Sequence, residues 1–188
     1  IQFIIDAAQG DVDRWVRSGE WRKDIPDTAK CYYRLYKFGD MHRLIAAYES
    51  MLREYGSMKE YVRSHASTGI EAVSAICRYF AEHDASTVVP RNTQSACKRV
   101  CMFLRWMVRS GSPVDLGLWA DIIDRRTLIM PLDTHVVQEA LRLGLLKSRT
   151  ASMATARRLT DAMLEVFPDD PLRGDFALFG LGVDEDSK

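Results

Sequence analysis

Long hydrophobic runs are missing from this chain of 188 residues. A helix that crosses a bilayer needs about twenty consecutive apolar residues, so no segment is suited to that role. An excess of charge of either sign is missing too. Lys plus Arg and Asp plus Glu each total 26, which leaves a net charge of zero. The totals therefore give no general argument for a polyanionic partner. Cysteine is sparse, and Cys31, Cys77, Cys97 and Cys101 lie mostly inside apolar-periodic stretches. Such residues read as reduced core thiols of an intracellular protein, and we expect a cytoplasmic one. Cys97 and Cys101 stand one helical turn apart, but no His or further Cys is close in sequence to complete a site, so we expect no metal. A strand-like alternation is missing as well. Val88-Val89 is too short, and Thr127 to Leu132 is the one plausible extended piece. There is no repeat and no low-complexity tract.

What remains is helical periodicity in a chain that is 47% hydrophobic. That suffices for one compact domain or two small lobes sharing a core. The spacing predicts a helix over 3–17, interrupted near Gly10. It predicts a short helix over 29–38 ended by Gly39, and a third capped by Asp40 and closed by Gly56. Ser57 opens another to about Ser64. Thr68 caps a helix to His83 that places Ile70, Val73, Ile76, Cys77 and Phe80 on one face. A break over 84–92 holds Pro90. Further helices are predicted over 93–109, 116–123, from Asp133 to near Gly144, over 152–167, and from about 170 to 181. The fold class is all-α with short connections. The chain starts at Ile1, in what reads as an element already under way, so we expect upstream sequence.

Charge is unevenly distributed despite the zero total. Arg91, Lys98, Arg99, Arg105 and Arg109 fall in one stretch without an acid. The segment 161–188 is strongly acidic. A basic face and an acidic end on one fold follow, or else ordinary solvated charge.

Two positions carry chemistry. In the helix predicted over 93–109, Lys98, Met102, Arg105 and Arg109 recur on one face. A lysine becomes a nucleophile when burial or a neighbouring cation lowers its pKa; otherwise this face is a solvated basic stripe. In Met130-Pro131-Leu132-Asp133-Thr134-His135-Val136, Asp133 stands at a helix N-cap. Capping and catalysis are compatible there, because a carboxylate fixed at the positive helix end stays ionised. A lysine and an aspartate at helix N-terminal ends are the parts needed for Schiff-base chemistry on a sugar. His135 could touch a phosphate or satisfy a backbone carbonyl. Trp106 and Trp119 could stack a flipped base or belong to the core.

Leu132-Asp133-Thr134-His135-Val136 resembles the aspartate segment of the helix-hairpin-helix DNA glycosylases, the endonuclease III superfamily. The long interval from Lys98 to Asp133 is more similar to that of the archaeal 8-oxoguanine glycosylases, whose hairpin is also altered. Nearly the whole chain also resembles a bacterial family of uncharacterised proteins. Its hallmarks stand here as Ser95-Ala96-Cys97-Lys98-Arg99, Phe103-Leu104-Arg105-Trp106-Met107-Val108-Arg109, Pro131 to Val136, and Asp175-Phe176-Ala177-Leu178-Phe179-Gly180-Leu181-Gly182.

The glycosylase resemblance implies a two-lobed helical bundle with an atypical hairpin, its candidate catalytic helices lying within about 67–149 of a single 1–188 domain. It implies double-stranded DNA with a damaged base, an oxidised purine, as substrate. Lys98 would be the nucleophile and Asp133 would assist base departure. Arg91, Ser95, Arg99, Arg105, Arg109 and His135 would contact DNA, and Trp106 and Trp119 would line the base pocket. The resemblance is incomplete. The Gly-Val-Gly hairpin that binds phosphate is absent, since 84–92 contains no glycine. The four-cysteine iron–sulfur cluster is absent too, and no cofactor is expected. A helical DNA-binding module without turnover, or a helical interaction domain, are the alternatives.

Overall fold

A helix starts where side chains or turns satisfy its first amides, and stops where the backbone must reverse. Those signals divide the chain into ten α-helices, one 3₁₀ turn and one two-stranded hairpin among the described residues. The structure, a computed structural model, describes the backbone of residues 2–186 and the side chains of residues 2–181. The order is α1 (Gln2–Ala7), α2 (Val12–Arg17), α3 (Trp21–Asp24), β1 (Cys31–Tyr33), β2 (Tyr36–Lys37), α4 (Phe38–Tyr55), α5 (Met58–His65) and α6 (Gly69–Glu82). Then come α7 (Lys98–Val108), the 3₁₀ turn (Arg125–Thr127), α8 (Thr134–Arg142), α9 (Met153–Val166) and α10 (Arg173–Asp186). The all-α class holds, with a small hairpin added. None of the described helices is long and apolar enough to cross a membrane.

Three expected elements differ. The helix predicted over 29–38 is the β1–β2 hairpin, with Cys31 opposite Lys37 and Tyr33 opposite Tyr36. Its aromatic residues suit strands. Tyr32 also packs edge-on against Phe3 and Phe38, at centroid distances of 5.9 and 5.2 Å, which a helix would not allow in this register. As a consequence α4 begins at Phe38, and Asp40 sits in its first turn, accepting the Lys37 amide at 2.8 Å. The helix predicted over 93–109 starts only at Lys98. The helix predicted over 116–123 is a series of turns. There the amides of Leu116 and Trp119 donate back to the carbonyls of Trp106 and Met107, each at 2.7 Å, and Gly117 has φ +66°. Donors committed to another element cannot build a helix ladder.

The chain forms two compact units, residues 1–64 with 77–91 and residues 65–76 with 92–188. The first buries Trp15, Val16, Trp21, Ile25, Ile45 and Leu52 as its core. The Trp15 indole donates to Asp24 at 3.0 Å. The second buries Leu104, Leu128, Met130, Val136, Leu159 and Leu172, among others. Within it α8 packs on α10.

In this second unit α6 begins against the 3₁₀ turn. The Gly69 amide donates to Thr127 Oγ1 at 2.8 Å. A Cβ at Gly69 would meet the Thr127 carbonyl oxygen and come within 2.8 Å of Leu128 Cα. Both obstacles are backbone and cannot swing aside. We expect Gly69→Ala to destabilise the protein by about 1–3 kcal/mol, the usual cost of overpacking. Thermal denaturation checks this, and an unchanged melting temperature would show that the 3₁₀ turn yields.

Candidate active site

Lys98 is the first residue of α7 because Cys97 before it takes a left-handed conformation, φ +46°. A non-glycine residue is rarely held there. Here the surroundings fix it. The Ala96 amide donates to the Ala151 carbonyl at 3.1 Å, and Ser95 bridges Ser152. The Cys97 amide donates to Ser95 Oγ at 3.4 Å, and its thiol to the Asn92 carbonyl at 3.3 Å. A local conformation of this cost, next to a candidate nucleophile, fixes the direction in which the lysine leaves the helix.

Asp133 is the N-cap of α8, and its two oxygens divide the work. Oδ1 accepts the His135 amide at 3.1 Å. Oδ2 accepts a hydrogen bond from Lys98 Nζ in a close ion pair. Burial alone would push the Asp133 carboxyl up. The Lys98 hydrogen bond and the His135 amide outweigh it and hold the group below the usual carboxylate range.

Lys98 and Asp133 line one cleft of ≈ 370 Å³, together with Met102, Arg105, Trp106, Val114, Pro131, Asp175, Phe176 and Phe179. That volume suits a small-molecule or single-base ligand. Three members of the face expected on this helix, Lys98, Met102 and Arg105, line the cleft; the fourth, Arg109, does not. His135 stands edge-on to Phe179, with centroids 5.9 Å apart.

Beside the cleft lies a buried charge network. Arg109 Nε and Nη2 donate to Asp170, at 3.0 and 2.8 Å to Oδ2, and its Nη1 donates to Asp115 at 2.7 Å. Arg105 donates to Asp175 and faces Asp115 Oδ1 at 3.5 Å. The Phe176 ring covers both guanidinium groups, 3.9 Å from Arg105 and 5.6 Å from Arg109. Two cations and three carboxylates leave one negative charge in excess. Protonation of Asp175 would cancel it. Burial is the largest influence on Asp175, and it pushes the carboxyl up to about 6 although Arg105 and Arg109 pull the other way.

The remaining expected site residues are dispersed. Arg105 and Arg109 are 4% and 7% exposed. Their guanidiniums are engaged by aspartates, so they are not exposed phosphate contacts; a buried arginine without a carboxylate would cost too much. Trp106 lines the cleft, but Trp119 does not. Trp119 is buried edge-on against Phe103, centroids 5.2 Å apart, as a core residue. Ser95 and Arg99 are exposed and do not line the cleft. Arg91 is exposed and belongs to the first unit. Sequence reasoning missed Asp175 as a cleft residue, and with it Phe176, Phe179 and the partners Asp115 and Asp170. One signal was present: Arg105 and Arg109 fall among apolar residues at the end of the predicted helix, and buried arginines call for acids elsewhere in the chain. Among the described residues no group of three or more His, Cys, Asp or Glu could hold a metal ion. The Cys101 thiol is pushed up to about 12, mainly by burial.

A raised acid pKa means that the fold binds the Asp175 proton more tightly than the unfolded chain does. The stability tied to this group is fully present below the ordinary carboxylate range and is lost as pH rises through about 6. The melting temperature of the wild type relative to Asp175→Asn should therefore fall between about pH 4 and pH 6.5 and level off above. A difference that does not vary with pH would contradict this assignment.

The family described as "Protein of unknown function (DUF2400)" matches residues 1–184, and the chain belongs to it. No match was found among curated proteins or among solved structures.

Proposed function

We propose that this family member is a DNA glycosylase-like enzyme that excises a damaged base, an oxidised purine by resemblance, and cleaves the strand through a lysine Schiff base. The observation that carries the reading is the hydrogen-bonded pair of Lys98 and Asp133 inside one apolar-lined cleft. Support also comes from Asp175, a second carboxylate on the cleft wall, which burial pushes up to about 6.

The chemistry follows from these groups. Asp133 accepts a proton from the Lys98 ammonium, frees the amine and hands that proton to the departing base. The carboxylate so restored stabilises the positive charge that develops on the sugar as the glycosidic bond stretches. The amine attacks C1′ as the bond from C1′ to the base breaks, and the base leaves with the bonding pair and takes up a proton. Loss of the second amine proton to the ring oxygen opens the sugar and gives an imine. Removal of a C2′ proton then expels the 3′ phosphate, and water hydrolyses the imine to release Lys98. Trp106, Phe176 and Phe179 supply the ring faces and edges against which an extruded base could stack.

The same ion pair favours a second reading. Lys98 and Asp133 satisfy each other without any reaction, as they would in a helical DNA-binding module that lacks turnover. Borohydride trapping on duplexes carrying 8-oxoguanine or an abasic site separates the two. A covalent adduct is expected with the wild type and none with Lys98→Gln; absence of an adduct on either duplex favours binding without turnover. Asp133→Asn should slow base excision by about 10²–10³-fold, the usual loss when an electrostatic stabiliser is removed, with duplex binding largely kept. Unchanged excision rates would remove Asp133 from the mechanism.

A further inference from the structure

The hairpin of the first unit has no role in the cleft, and its side chains form an unusual set. From Thr28 to Gly39 the chain carries Lys30, Arg34 and Lys37 and no acid. The acids that flank it are already engaged, since Arg43 reaches Asp27 at 3.5 Å and Asp40 at 2.7 Å. Among the described residues Lys30 and Lys37 make no ion pair, and the Arg34 guanidinium lies over the Tyr33 ring at 5.2 Å. A protein with zero net charge thus concentrates three cations on one short hairpin.

The tip is apolar. Leu35 is 93% exposed and Tyr33 57% exposed. Arg34 holds the turn with φ +53°. The inward face is well fastened: Tyr32 packs on Phe3 and Phe38, and the Phe38 amide donates to the Lys30 carbonyl at 2.9 Å. A tip projected by a fixed base is suited to insertion rather than to casual exposure. One leucine is too narrow an apolar face for a lipid surface, whereas a nucleic-acid groove takes a single wedge between base steps.

We infer that the β1–β2 hairpin is a contact element for double-stranded DNA, in which Lys30, Arg34 and Lys37 meet phosphates and Leu35 with Tyr33 enters the minor groove. The inference rests on the DNA partner proposed above, but not on its chemistry.

Fluorescence anisotropy with a short undamaged labelled duplex, titrated over a range of salt, tests it. The triple variant Lys30→Ala/Arg34→Asn/Lys37→Ala should bind at least about tenfold more weakly at low salt, and its log–log salt slope should shrink by about 2.7, or about 0.9 for each lost phosphate contact. Leu35→Ser should weaken binding while leaving the slope unchanged. All four side chains are exposed, so melting temperatures should match the wild type and rule out unfolding as the cause. Equal affinity and slope in both variants overturn the inference, as does a wild type that does not bind duplex. So does loss of phosphatidylglycerol-vesicle binding in the triple variant while duplex binding is kept. Borohydride trapping keeps the two proposals apart. Lys98-dependent trapping with unaffected hairpin variants sinks only the hairpin; hairpin-dependent binding without trapping sinks only the chemistry.

Discussion

The buried pairing of Arg105 and Arg109 with Asp115, Asp170 and Asp175 is the constraint on which the candidate site depends. Charges this deeply buried persist only with partners in good geometry, and removing one partner typically costs about 3–5 kcal/mol. The partners come from three places: the turn after α7, the segment before α10, and α10 itself. Pairing the two arginines with these acids therefore fixes α7, its following turn and α10 to one another. Lys98 lies about two turns before Arg105 on the same helix face, so the network also sets where the lysine emerges.

The same arrangement explains why the cleft is apolar and yet holds ionisable groups. Phe176 covers the arginines and also lines the cleft, while Asp175 next to it is both the ion-pair partner of Arg105 and a cleft residue. Asp133 reaches the cleft from a different helix, held by an amide of its own N-terminus. Two carboxylates in one small space, one held low and one pushed high, is the kind of split from which acid and base roles are made. The left-handed Cys97 completes the arrangement by starting α7 at Lys98.

The helices that frame the cleft were legible in the sequence where caps and periodicity agreed. Asp133 as an N-cap, a helix within 152–167 and the break at Gly10 all follow from local chemistry. The shared face of Lys98, Met102 and Arg105 followed from helical spacing. The misread elements were those in which partners outside the element took the backbone donors or packed on the side chains. The turns over 116–123 give amides to the end of α7, residues 95–96 pair with 151–152, and the hairpin is held by Phe3 and Phe38. Arg105 and Arg109 looked like phosphate grips because a sequence shows a cation without its counter-ion. Their aspartates stand 6 to 70 residues away. Trp119 was ambiguous for a related reason, since helical spacing does not separate a core indole from a pocket indole.

The central claim is that the amine in this cleft is the one that reacts. Incubation of the protein with abasic-site duplex and cyanoborohydride, followed by nuclease and protease digestion and mass spectrometry, locates the sugar remnant on the chain. The account predicts a single modified lysine, Lys98, with the label lost in Asp133→Asn or strongly reduced. A remnant spread over exposed lysines such as Lys23 and Lys147, with Lys98 unmodified, would contradict it.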